Sequence, residues 1–316
     1  MYIDRMFPDE LDNMICGGGC ESAAACCNES REPATTYSGD DSEFAAIRNG
    51  GGCESTAACN GGAPAAGATA AGVPAAGPAA VLPIGSVEQH GPHLLLGCDG
   101  FIASALAQMT AEKLGGALFP TVPFSWIGGL RPYAGTIDLR PFTTAEYLMQ
   151  ICLGILRMGF TRLVIVNCHG GGREMVFSVG RRLNKETGKP VVTMYPTNIY
   201  DSWPELYDVW RENGNEFDWG VVEASELVAA LEYLNKNELA QKVIQNIADT
   251  VAEFGDGARV PEQPGLRSIY RMGEVGHDYN HECMHVMPTN KIEPKSAVKA
   301  LDFMADKLAW GANNAK

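Results

Sequence analysis

From residue 80 onward, apolar and polar positions fall into blocks that alternate between two periods. AAVLPIGSV (79–87) is apolar almost without a break, as in a strand covered on both faces. GFIASALAQMTAEKLGG (100–116) carries apolar residues at helical spacing and stops at Gly115 and Gly116. ALFPTVPF (117–124) reads as a second strand, 143–158 as a helix with a Thr start and a Gly159 stop, and TRLVIVN (161–167) as a third strand. REMVFSVGRRLNKETG (173–188) is helical and KPVVTMYP (189–196) a fourth strand. An irregular Trp-containing loop follows, then helices at about 221–235, 237–254 and 295–310. Strands alternating with helices predict an α/β fold: a three-layer α/β/α sandwich around a mostly parallel central sheet.

The first 79 residues follow no such pattern. GGGCESAAAC (Gly17–Cys26) recurs as GGGCESTAAC (Gly50–Cys59), and Ala, Gly, Ser and Pro fill the rest. That composition buries too little apolar surface to offset chain entropy, so 1–79 is expected to be an N-terminal segment with a flexible insertion. The catalytic domain is expected over 80–316. Six of the ten cysteines precede residue 60 (Cys16, Cys20, Cys26, Cys27, Cys53, Cys59). Cys16 and Cys20 have zinc-site spacing, whereas Cys53 and Cys59 are too far apart for it. The other four are Cys98, Cys152, Cys168 and Cys283.

A net charge of −14 disfavours nucleic acid and anionic lipid as partners. No run of about 20 apolar residues is present to span a bilayer. The first residues carry acids where a secretory signal needs bases, so the expected location is cytoplasmic.

Candidate chemistry gathers at two predicted strand ends. GSVEQHGPHLLLGCDG (85–100) holds Glu88, His90, His93 and Asp99, and NCHGGG (167–172) holds His169. In open α/β sheets ligands sit beyond the C-terminal strand ends. Glu88 and His90, two apart on an extended segment, point to one side. Asp99 could swing back from the following helix and bridge two cations through its two oxygens, or simply cap that helix. Carboxylates with imidazoles suit zinc, manganese or iron. His93 is a candidate for orienting a ligand, and Cys168 for a small buried apolar group. Glu223 stands near a helix start, where the dipole favours an acid in any case.

GSVEQHGPHLLLGCDG resembles the first signature of the creatininase family, close to G-S-x-E-Q-H-G-P-H-L-P-x-x-x-D. NCHGGG resembles its N-G-H-G-G-N, PYAGTIDL (Pro132–Leu139) its F-P-G-T-I-S-L, and DWGVVEASELVAAL, more weakly, its H-A-G-x-x-E-T-S-x-x-L. The resemblance implies two divalent metal ions. Glu88, Asp99 and His169 would hold one, and His90 with a bridging Asp99 the second. Creatininase has a further Glu two residues after the second-motif His, where this chain has Gly171. Glu223 is the candidate replacement and Glu174 the fallback. Asp218 stands where the third motif has a presumed proton-transfer His, so Asp218 or Glu223 would shuttle protons. The resemblance also implies a small-molecule substrate and a homo-oligomer, usually a hexamer.

The expected chemistry is hydrolysis of a C–N bond in a cyclic amide or formamide by a water activated between two cations. The alternative, known for a relative, is ring-opening C–C hydrolysis of a keto-inositol. A third reading is a non-catalytic metal-binding scaffold using the N-terminal cysteines. Trp203, Trp210 and Trp219 are candidates to wall the pocket. His277, His281 and His285, spaced by four, are candidates to line it.

Overall fold

A computed structural model describes residues 77–127, 135–212, 217–256 and 289–315. The repeat-containing N-terminal segment, its six cysteines, Cys283, and His277, His281 and His285 lie outside them. The described elements are β1 (Ala79–Ile84), α1 (Cys98–Leu114), β2 (Ala117–Leu118), α2 (Pro141–Arg157), β3 (Arg162–Asn167), α3 (Arg173–Thr187) and β4 (Val191–Met194). Then follow α4 (Pro196–Ser202), α5 (Glu205–Arg211), α6 (Trp219–Tyr233), α7 (Asn237–Phe254) and α8 (Pro294–Asn314).

The four strands form one sheet in the order β2-β1-β3-β4, every neighbouring pair parallel. Ala80 pairs with Leu163 and Ile84 with Asn167, so β1 and β3 end level. Both strands are buried along their whole length, which explains their unbroken apolar sequences. α1 covers one face, enclosed in turn by α6 and α8, and α2 and α3 cover the other. The expected three-layer sandwich is therefore present. α1 is apolar almost all round because it lies between sheet and outer helices.

Connectivity places the site. From β1 the chain steps outward to β2 by way of α1, then crosses to β3 by way of α2 on the other face. The direction of winding thus reverses between β1 and β3. Such a switch point opens a crevice at the C-terminal strand ends.

Several boundaries differ from the sequence reading. The strand expected over 117–124 is regular only at Ala117–Leu118. Pro120 and Pro123 have no N–H to donate, yet Phe119 and Val122 still donate to β1 at 2.9 Å each. α2 opens with Pro141 at its first position rather than on a Thr cap. α6 begins at Trp219, so Glu223 sits in its second turn, beyond the dipole's reach. The irregular loop contains two seven-residue helices, α4 and α5.

Candidate metal centre

The loop after β1 is held by backbone bonds before any site chemistry begins. Gly85 N–H donates to Val122 O at 3.0 Å, and Glu88 N–H to Leu96 O at 2.9 Å. A Cβ on Gly85 would lie 2.4 Å from the Gly100 backbone, so only glycine lets β1 approach the start of α1 this closely. The GTIDL segment braces the loop from outside. Thr136 Oγ1 accepts from Gln89 N–H at 3.1 Å, and Ile137 N–H donates to Val87 O at 2.9 Å.

This scaffold brings Glu88, His90, Asp99 and His169 together, all buried to within 3% exposure. The Asp99 carboxylate lies between the imidazoles. Its Oδ1 is 3.4 Å from His90 Nε2 and its Oδ2 3.1 Å from His169 Nδ1. Glu88 Oε1 lies 3.6 Å from His90 Nε2 and 3.2 Å from His169 Nδ1. Glu223, reaching in from α6, places Oε1 3.5 Å from His90 Nε2 and stays 28% exposed.

The far ring nitrogens fix which atoms face inward. His90 Nδ1 donates to the Glu88 carbonyl at 3.0 Å, and His169 Nε2 to the Trp126 carbonyl at 2.9 Å. Each imidazole thereby presents its other nitrogen to the carboxylates, the arrangement typical of metal-binding histidines. Ser86 Oγ donates to Asp99 Oδ2 at 2.7 Å. Asp99 is therefore no cap: it lies inside α1, and its oxygens serve the cluster.

Three carboxylates with two imidazoles in one buried place are costly without cations. Burial lowers the imidazole pKa of His90, but Asp99, Glu223 and Glu88 outweigh it and raise it to about 10. His169 is likewise raised, its burial outweighed by Glu88 and Asp99. Burial raises the Asp99 carboxyl, yet the two histidines bring it well below the usual range. Burial lifts Glu223 to about 7. The ligand atoms of Glu88, His90 and Asp99 lie within 4.8 Å of one another, as do those of His90, Cys98 and Glu223. Glu88 Oε2 is buried and has no hydrogen-bond partner among the described residues. Donor chemistry, spacing and the orphaned oxygen all fit a divalent cation.

Other expected positions lie elsewhere. Glu174, the fallback, is 76% exposed and pairs with Arg173 at 3.0 Å. Gly171 has no room for a side chain, since a Cβ would meet His169 Nε2 at 2.6 Å and Ile127 O at 2.7 Å. Asp218 caps α6, its Oδ1 accepting from Gly220 N–H at 2.7 Å. His93 is fully buried, and neither ring nitrogen has a protein partner. Burial, with the charge of His90, lowers its pKa to about 3. Cys168 is buried, and burial raises its thiol. Trp210 is a core residue whose Nε1 donates to Tyr200 Oη at 2.6 Å, and Trp203 packs under Lys307. Only Trp219 of the three is exposed, standing edge-on to Tyr200 and Phe217.

Sequence reasoning passed over Ser86, Cys98 and Glu226. Glu226, one turn after Glu223, is buried with Oε1 unpaired, and burial raises it to about 8. An acid within the apolar run of α6 was the signal for it. For Cys98 the signal was its place beside Asp99 in the first motif.

Known proteins resemble this chain in sequence and fold. The model of the creatininase family, creatinine amidohydrolase, matches residues 67–254. A mycofactocin precursor peptide peptidase of Mycobacterium ulcerans is 35% identical over 121 residues, covering 34% of this chain and 47% of that protein. The creatinine amidohydrolase of Pseudomonas putida is 30% identical over 157 residues, covering 44% and 60%. The 3-dehydro-scyllo-inosose hydrolase of Thermotoga maritima is 24% identical over 152 residues, covering 46% and 47%. The chain thus spans about half the length of the curated relatives it matches. A creatinine amidohydrolase crystal structure superimposes with a TM-score of 0.56 at 17% identity, covering 73% of this chain and 88% of that one. A structure titled as the manganese form of creatininase gives 0.55, covering 74% and 90%.

Proposed function

The chain belongs to the creatininase family, and on that premise we propose that it is a metal-dependent hydrolase cleaving a C–N bond of a small amide. The observation that carries this reading is the convergence of Glu88, His90 and Asp99 with His169, seventy positions beyond Asp99, in one buried cluster. Glu88, Asp99 and His169 would hold one divalent ion. His90, Asp99 and Glu223 would hold the second. The opposed directions of the two Asp99 oxygens support two ions rather than one. Zinc and manganese both suit the donors, and structures of creatininases are titled with each.

Such ions polarise a carbonyl and bring the pKa of a water toward neutrality when bound. The protein's own part is positioning and proton transfer. His90 and His169 are locked in ring orientation by two backbone carbonyls. Glu223 is the one carboxylate of the cluster that reaches solvent, at 28% exposure, so a proton can pass between it and water. It would take the proton from water and return it to the leaving nitrogen. Asp218 already serves the α6 cap, so Glu223 is the better placed of the two candidate shuttles.

Substrate classes follow the relatives: cyclic amides, formamides, peptide bonds and, as a C–C alternative, keto-inositols. Trp219, exposed about one turn before Glu223 on α6, favours a substrate with a planar or apolar face. The test is a screen of the zinc- or manganese-loaded full chain against those four classes, beside a His169→Ala control. Turnover of one class that the control abolishes supports the reading. Turnover that the control leaves intact rejects the assigned centre.

A further inference from the structure

We propose that the Cys98 thiol is a direct ligand of the second cation, giving that position a sulfur, nitrogen and oxygen donor set that selects zinc over manganese. The proposal rests on the metal reading above and goes beyond it. The sulfur of Cys98, a ring nitrogen of His90 and a carboxylate oxygen of Glu223 lie within 4.8 Å of one another. That spread is small enough for one ion to contact all three, since zinc–sulfur bonds are about 2.3 Å and zinc–nitrogen about 2.0–2.1 Å. With the shared Asp99 oxygen the position would have four protein donors, a number zinc takes readily before expanding to five-coordinate with water or substrate.

Independent features point the same way. Glu88 Oε2 is buried and unpartnered among the described residues, and Glu88 Oε1 lies 3.6 Å from His90 Nε2, so the same cluster holds an acceptor with no donor. Cys98 is the first residue of α1, a 17-residue helix whose cap position, Gly97, has no side chain to satisfy the terminal N–H groups. Burial and the neighbouring carboxylates of Glu223 and Asp99 raise the Cys98 thiol, so the thiolate would form only with the cation bound. On binding, the S–H bond breaks, a sulfur–metal bond forms, and the proton leaves to solvent. Thiolate is a soft ligand and suits zinc or cobalt, whereas manganese prefers oxygen.

Cobalt(II) alone is the probe, because a cobalt–thiolate bond adds a near-ultraviolet charge-transfer band. The protein is the full chain with Cys16, Cys20, Cys26, Cys27, Cys53 and Cys59 changed to Ser, which removes the N-terminal thiols. The expected result is that this band accompanies cobalt binding, disappears in Cys98→Ser and persists when Cys152, Cys168 and Cys283 are changed to Ala. In parallel, Cys98→Ser should lower zinc affinity by on the order of tenfold or more, while changing manganese affinity less. Should Cys98→Ser fail to fold, the reciprocal variant lacking Cys152, Cys168 and Cys283 still decides the matter, because it must keep the band. Cobalt bound without the band, or a band that follows Cys152, Cys168 or Cys283, overturns the proposal and leaves the metal reading standing. No cobalt bound at all overturns both.

Discussion

Asp99 is the residue on which the centre turns, because its two oxygens face different imidazoles at 3.4 and 3.1 Å. Asp99→Asn keeps the shape and removes the charge. It should weaken metal binding by on the order of 100-fold or more, beyond the roughly 10–100-fold typical of outer partners. A chelator-competition titration measures this. Ser86→Ala deletes only the hydroxyl that donates to Asp99 Oδ2. It should cost about 10–100-fold in affinity and leave the number of bound ions unchanged. If Ser86→Ala matched Asp99→Asn, the hydroxyl would be a ligand and not a support. Glu88, His90, Asp99 and His169 were legible in the chain because packing alone seldom calls for carboxylates and imidazoles at the ends of buried strands. Their supports were not. The Trp126 carbonyl belongs to the backbone and leaves no mark in side-chain chemistry. Ser86 and Cys98 are ordinary residue types whose roles depend on how a loop folds back over a helix start.

At the scale of elements, the approach of β1 to α1 makes a paired prediction. A Cβ at Gly85 would lie 2.4 Å from backbone atoms of Gly100, whereas a Cβ at Gly100 meets nothing within 4 Å. Gly85→Ala should therefore destabilise by at least about 1–3 kcal/mol, the cost of overpacking against atoms that cannot rotate away. Gly100→Ala, early in α1, should be neutral or stabilise by up to about 1 kcal/mol through helix propensity. Denaturant midpoints of the metal-free variants give both numbers, and equal effects would reject the packing argument. The long elements were readable because strands buried on both faces, and helices with glycine stops, leave periodic marks. Gly115 and Gly188 do end α1 and α3 in left-handed conformations, with φ of 58° and 67°. The short helices α4 and α5 were not readable, since seven residues hold barely two turns of any pattern. The Glu174 fallback failed for a similar reason: spacing alone could not show that α3 turns that residue outward to Arg173.

For the whole molecule, the site couples stability and metal binding to pH. In the metal-free protein His90 is raised from 6.5 to about 10. Its stabilising contribution is thus complete below pH 6.5 and is lost as pH rises through about 10. Glu226 is raised from 4.5 to about 8 by burial, so the folded state favours its proton and loses stability as pH climbs across that interval. Asp99 is depressed below 3.8, and its contribution is lost only in strong acid. His93, lowered from 6.5 to about 3, works the other way up to pH 6.5, so the metal-free protein should lose stability steadily above about pH 6.5. Zinc acts in the other direction. At the proposed centre it would have to displace protons from His90 and His169, so its affinity would rise with pH. An ion bound only by the folded state adds about 2.7 kcal/mol at one hundred times its dissociation constant. Melting temperatures measured from about pH 6.5 to 9 should thus fall for the metal-free chain, and the gain on adding zinc should widen along the series. Parallel curves would mean that the buried imidazoles carry no exchangeable protons, and the cluster would then be a packed polar core instead of a metal centre.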